Sequence, residues 1–386
     1  MKKKLLILLL AMNLGLTACA SAIPQKETST APSQTETSEL KESSILDQLI
    51  VEKDRTYGKL SENLTIDVTN EDLYKEVGEH AIVPVKMKSV DDKYLADRFF
   101  NKKIEPSEVL NQDGELYTLY EEGDKSMAHS VDESGLYENV FGFSDFWSQT
   151  VNVFHYKMLQ PKDLIWDTTR YFEKDKDLSF AKVLEVKEEV VKALEESGYN
   201  FKEFPLYHEE VFALTKEKLK EAEDFLIKKD CMTDLRTGKS MVKGKWTTDD
   251  EAYYLYLHTA YDGVPLYEES ASERLKVLYN KDKIQSIEII NPLEVIPSNL
   301  EKKPLISLEE ALKSLIAYDK NILDGKEHKV SDMKLCYYLN RNNDGMTLIP
   351  VWYVEYGIVY GDDQPTNANN LFLNAITGEW FMEEIS

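Results

Sequence analysis

The sequence predicts an α+β protein: tandem modules of helix packed on antiparallel sheet, placed after a signal peptide and a disordered tether. Three observations predict it. Helix-period apolar stripes recur at 178–200, 214–229 and 307–318. Each later stripe is followed by a run of alternating, β-rich segments separated by turn residues. A charged, apolar and then polar N-terminal stretch precedes all of them.

The N-terminus sets the location. Lys2, Lys3 and Lys4 form a positive start, and Leu5 to Leu16 is an apolar run broken by Asn13 and Gly15. That run has the length of a signal-peptide core and is short for a membrane span. Leu16-Thr17-Ala18-Cys19 then resembles the bacterial lipobox. The resemblance implies cleavage before Cys19 and diacylation of its thiol. The other reading is a secretory leader cut at Ala-x-Ala with an incidental cysteine. Acyl chains bury methylenes at about 0.8 kcal/mol each, so two chains hold without further membrane contact. Residues 1–18 are thus expected to be the signal peptide, and 19–59 the lipidated cysteine and tether. Residues 20–44 are rich in Ser, Thr, Glu, Gln and Pro, with little apolar content to offset ordering entropy. Their r.m.s. reach is roughly 25–30 Å.

Charge narrows the partners. The chain has 46 basic and 70 acidic residues, a net charge of −24. Loss of the three leader lysines leaves 43 against 70, or −27, for the mature chain. Nucleic acid is excluded as a natural partner, because phosphate binding needs clustered positive charge. An anionic membrane surface repels the body as well, which leaves the N-terminal lipid as the membrane contact. A hydrophobic content of 42% with 11% aromatics is ample for packed cores. Beyond Cys19 there are only Cys231 and Cys336. They form either one disulfide or two separate small buried thiols.

A first α+β module is expected over 60–177. Leu64, Ile66 and Val68 alternate, as do Val83, Val85 and Met87, so both stretches read as strands. Residues 89–103 read as a helix with Tyr94, Leu95, Arg98 and Phe99 at turn spacing. Asp113-Gly114 is a hairpin signal before the strand at 115–120. The stretch 140–159 has no single period.

A second module is expected over 178–300. Ser179 is the expected N-cap of a helix whose stripe is Phe180, Val183, Leu184, Val190, Val191 and Leu194, with Gly198 as its stop. Thr215 caps the next helix, with Leu219, Ala222 and Leu226 facing inward. Residues 251–261 form a strand entering the Asp262-Gly263 turn, and 274–290 form a hairpin with Lys281-Asp282 near its tip. A third module is expected over 301–386. Ser307 with Glu310 is a capping box, and Leu308, Ala311, Leu312, Leu315 and Ile316 make a full core stripe. Three strands follow, around 333–340, 348–360 and 370–381.

The helix opening SLEEALKSL, then a strand, then IPVWYVEY and LFLNAITGEW, resembles the PepSY-like modules of extracytoplasmic bacterial proteins. YYLYLHTAYDGVPLYEE resembles the earlier strand pair of the same unit. The pattern is also similar to that of the YycH/YycI-type regulators of a membrane histidine kinase, and to a Gram-positive lipoprotein family carrying a domain of unknown function. The resemblance covers about 178–386, and its motifs are structural. Asp262-Gly263 and Thr377-Gly378 shape turns, while Trp352 and Trp380 pack. It implies partner binding or peptidase inhibition, and no catalytic residue.

The chain carries few motifs of known chemistry. His80, His129, His155, His208, His258 and His328 show no HExxH or HxxxH spacing, and His208-Glu209-Glu210 does not share a helical face. Residues 142–146 lack the second glycine of a nucleophile elbow, and no P-loop or GxGxxG occurs. Asn340, Asn342, Asp344 and Gly345 imitate a calcium loop, but its twelfth position is Val351 in place of glutamate, so the stretch reads as a hairpin turn. No metal and no cofactor are expected. One feature points to an interaction. In the 253–261 strand Tyr253, Leu255 and Leu257 point one way, and Tyr254, Tyr256 and His258 the other. Helix packing needs one face. The second is covered by the chain itself, by another molecule or by a ligand.

The sequence therefore predicts a lipid-anchored, extracytoplasmic, non-enzymatic protein-binding or regulatory lipoprotein. Its expected partner is an extracytoplasmic sensor or peptidase, met through Tyr254, Tyr256 and His258. The alternative is a peptide- or glycan-binding lipoprotein with a cleft between modules. A hydrolase of unfamiliar type would need clustered carboxylates or histidines in a cleft.

Overall fold

The structure is a computed structural model. It describes residues 44–381 except 71–72, 74–77, 111–115, 124, 133–134, 136, 145–171, 229–239, 241, 268–274, 323, 343–344 and 360–364. Cys19, the leader and tether up to residue 43, Asp113-Gly114, His155 and Cys231 lie outside the described residues.

The helix-on-sheet tandem does not hold. Strand makes up 48% of the described residues and helix 21%. The described residues hold four α-helices: α1 (Asp92–Phe100), α2 (Val183–Glu196), α3 (Lys216–Lys228) and α4 (Leu308–Lys320). The reason is pairing. Strands that the sequence assigns to separate modules join the same sheets, as where Glu138–Phe143 pairs antiparallel with Lys283–Ile290. The chain accordingly divides into two discontinuous units in place of contiguous modules. Unit 1 comprises 1–78, 304–335 and 351–386; unit 2 comprises 79–303 and 336–350.

Unit 2 is built on a ten-stranded sheet. Its order is Glu173–Lys174, Leu206–Leu214, Ala252–Tyr261, Leu275–Asn280, Lys283–Ile290, Glu138–Phe143, Lys125–Val131, Leu116–Glu122 and Ser107–Leu110, with Val264–Pro265 paired beside Ala252–Tyr261. The Asp262-Gly263 turn has both residues at positive φ (49° and 78°), the conformation that matches a two-residue hairpin to strand twist. Gly142 faces Ile287 so closely that a Cβ there would lie 2.8 Å from its Cγ2.

Helices α1 and α2 cover one face of this sheet. Leu95, Ala96, Phe99 and Phe100 of α1 join Val183, Val186, Val190 and Leu194 of α2 in a core with Tyr253, Leu255, Leu257, Val277 and Ile287. Burying each large aliphatic side chain contributes roughly 1.5–3 kcal/mol. Helix α2 begins at Val183, with Lys182 as its N-cap residue, so Ser179 is not the cap. The turn before it is held instead by Tyr253, whose hydroxyl accepts from Leu178 N (2.5 Å) and donates to Ala181 O (2.8 Å). Leu184, expected in the stripe, is 64% exposed, while Val186 and Ala193 are buried.

The same core carries a charged cluster. Asp92, at the start of α1, stands 3.2 Å from His129 Nδ1, and Glu138 Oε1 stands 3.1 Å from Nε2. Tyr120 donates to Asp92 (3.2 Å), and Glu138 also accepts from Val90 N (3.2 Å). Burial opposes charge on the ring, but the two carboxylates outweigh it and raise the His129 pKa to about 9. The ring is therefore an imidazolium at neutral pH, donating to both carboxylates.

In unit 1 the strands belong to a nine-stranded sheet. Ile50–Val51, Arg55–Lys59 and Leu64–Thr69 pair in succession, so the end of the stretch expected to be tether (19–59) is sheet, and Leu64–Ile66 then pairs parallel with His328–Val330. Further along, the Val351–Val359 stretch pairs with Pro365–Asn374, which pairs with Trp380–Phe381. Helix α4 has the expected capping box, Ser307 accepting from Glu310 N and Glu310 from Ser307 N. Its Leu308, Ala311, Leu312 and Leu315 are buried. Trp352 is 1% exposed and donates to Ile306 O (3.1 Å). Asp319, at the end of α4, accepts from Tyr356 Oη (2.7 Å) and lies 2.7 Å from His328 Nδ1, whose Nε2 lies 3.2 Å from Asp324.

The His129 cluster makes a signed prediction. Its pKa in the folded chain, about 9, lies above the ordinary value near 6.5. Its contribution is then complete below about pH 6.5 and lost as pH rises through 9, on the order of 3 kcal/mol in all. Urea denaturation across pH 6.5–9.5 should show this decline, and His129→Gln should flatten it.

Candidate functional site

The predicted site residues lie on the face of the ten-stranded sheet opposite α1 and α2. Strand alternation puts Tyr254 and Tyr256 there, as expected. They do not form an open surface, and this corrects the expectation of an aromatic docking face. Each is 3% exposed. Both pack in a second core with Phe172, Phe212, Leu214, Leu219, Ala222 and Leu278, bordered by Phe225 and Trp246. Their rings meet edge to face at 4.6 Å, and Phe212 meets Tyr256 the same way at 5.9 Å. The cover is α3, which presents Leu219, Ala222 and Phe225, together with the Trp246 stretch.

A buried carboxylate holds that cover. Glu223 on α3 is fully buried and accepts from Lys243 N (2.6 Å), Gly244 N (3.1 Å) and Trp246 Nε1 (3.1 Å). Gly244 takes φ 77°, which turns two successive amides toward one anion. Lys243 lies over the Trp246 ring at 4.8 Å.

His258 stands at the margin, where this cover ends. It is opposed in register by His208, with the rings 5.8 Å apart. Glu210 lies two residues along on the same face. Its carboxylate is 3.6 Å from His208 Nε2, 3.9 Å from His258 Nε2 and 3.1 Å from Lys174 Nζ. The neighbouring His258 ring and the hydrogen bond from Lys174 outweigh burial and lower the Glu210 pKa to about 2. Such a group stays ionised at neutral pH. It serves as a fixed acceptor for a donor or cation, and it is mismatched to proton transfer near pH 7. Next to Tyr256 in the register is Lys276, 4% exposed and 3.5 Å from Glu288, whose pKa burial raises.

Sequence reading missed Lys174 and the grouping of His208 with Glu210. The i, i+2 spacing of 208 and 210 on a strand was the available signal. The pairing with His258 depends on cross-strand register, which alternation does not specify. Cys336 is buried, and among the described residues no group of three or more His, Cys, Asp or Glu is arranged to hold a metal ion. No helix among the described residues is long and apolar enough to cross a membrane.

Fold and site together define, over the described residues, a β-rich chain of two units. No family model matches the chain, and no curated protein matches it. A solved structure does resemble it: the crystal structure of an uncharacterized protein from Eubacterium rectale, 17% identical, covering 87% of this chain and 96% of its own, with a TM-score of 0.56. At that identity the likeness is one of fold alone.

Three variants check the site. Glu223→Ala removes the acceptor shared by three part-buried N–H donors and should cost about 2 kcal/mol in urea denaturation, with a red shift of Trp246 emission. Tyr254→Ala should cost about 3–4 kcal/mol by opening a cavity in the second core, whereas His258→Ala, at the margin, should stay within about 0.5 kcal/mol.

Proposed function

We propose that the chain is a lipid-tethered extracytoplasmic protein acting as a non-enzymatic protein-binding or regulatory module. The observation that carries this reading is the Lys2–Cys19 stretch, in which charge, apolar length and the Leu16-Thr17-Ala18-Cys19 box agree. The internal engagement of the polar groups supports the non-enzymatic part. Both ring nitrogens of His129 face carboxylates, as do both of His328, and Glu223 is taken up by the backbone it latches. A catalytic group needs an open valence toward a substrate. The net charge of −24 favours a partner with a basic surface. Tyr254 and Tyr256 are removed from the contact surface by their burial, and His258 with Glu210 remains as its polar remnant.

The anchor and the partner are tested separately. Cells grown with radioactive palmitate should label the chain, and Cys19→Ala should abolish the label and move the protein from the membrane to the soluble fraction. Crosslinking on intact cells followed by purification should recover one specific membrane or secreted protein. An unlabelled chain would sink the anchor; recovery of no specific protein would sink the binding role.

A further inference from the structure

We infer that the strand Ser107–Leu110 receives an extended segment of a partner protein by strand addition, and that this segment carries a basic residue two positions from an apolar one. The inference rests on the protein-binding reading. Ser107–Leu110 ends the ten-stranded sheet, and on its outer side it pairs with no strand among the described residues. An edge strand presents unpaired backbone donors and acceptors, the template that strand addition uses. At the other end of this sheet the edge is the two-residue strand Glu173–Lys174, too short to hold a segment.

Charge and register select the occupant. Ser107 and Glu108 are exposed, and Glu105, just before the strand, has its side chain 89% exposed. Glu108 stands opposite Thr118, and Leu110 stands opposite Leu116. Leu116 is 53% exposed. It lies beside the Tyr117–Ser130 pair, and next to that pair on the following strand is Val131, 45% exposed. The end of the sheet therefore offers an apolar strip, and two positions along it a carboxylate. A segment added at this edge places one residue in register with the Leu116 row and another, two positions on, in register with Glu108. The first is best apolar and the second Lys or Arg. A second copy of this chain fits poorly. Antiparallel pairing of two such edges centred on Glu108 brings the two carboxylates together, and two strongly acidic bodies repel.

The test uses the full mature chain and a blocked peptide of threonines with one valine and one lysine two positions apart. The control peptide has glutamate in place of lysine. Amide exchange should slow at Ser107–Leu110 on addition of the lysine peptide, which should bind at least tenfold more tightly than the control. Glu108→Lys should invert that preference, and Glu108→Gln, which keeps the strand's shape, should erase it. Equal affinity for the two peptides, or slowing confined to other residues, overturns the inference. Crosslinks from a captured cellular partner that map away from 105–118 would overturn it too, while leaving the protein-binding reading intact.

Discussion

In each unit a histidine sits between two carboxylates and ties a helix end to a strand. In unit 2, His129 joins Asp92, at the start of α1, to Glu138, the first residue of a strand. In unit 1, His328 joins Asp319, at the end of α4, to Asp324 in the connection that follows. Polar groups removed from water are tolerated only when each donor and acceptor is matched, and breaking one member strands the others. Each cluster is extended accordingly: Tyr120 and Val90 N complete the first, Tyr356 completes the second. Apolar contacts are non-directional, whereas a buried hydrogen-bonded contact joins particular atoms. These clusters act with the apolar stripes of α1 and α4 in placing the two helices.

The second face of the ten-stranded sheet is handled differently. An antiparallel sheet with large aromatics on both faces needs two covers. Helices α1 and α2 provide one. Helix α3 provides the other, and it is joined to the Trp246 stretch by the Glu223 carboxylate. Strong hydrogen bonds to a buried anion suit a segment that has little sheet pairing of its own. Where the cover ends, the same strand faces change from Tyr and Phe to His and Glu, because polar side chains there reach water. The aromatic character that suggested a docking surface is thus internal.

Most local elements were legible. The capping box at Ser307 and Glu310, the I′ turn at Asp262-Gly263, the Thr215 cap and the strands around Ile66, Val85 and Leu255 follow from propensity and period. The start of α2 did not, because the Tyr253 hydroxyl, 75 residues away from Leu178, holds the preceding turn outside the helix. Leu184 misled for a related reason: a stripe read on a longer helix rotates the expected buried face. Of the site, the alternation of Tyr254, Tyr256 and His258 was visible, and its cover was not.

By itself the sequence determined several of the helices, strands and turns, and that the chain is strongly acidic. Those properties depend on neighbours within a few residues. It pointed to contiguous helix-on-sheet modules because a strand's apolar period says only that one of its faces is buried. Only the tertiary structure decided which strands pair, that residues near 140 join those near 287 and those near 65 join those near 329, and hence that two discontinuous, β-rich units form. It also decided that Tyr254 and Tyr256 are core and that His129 is charged. Backbone pairing is chemically alike at every strand edge, so partner choice is made by the summed packing and ionic contacts of residues far apart in the chain.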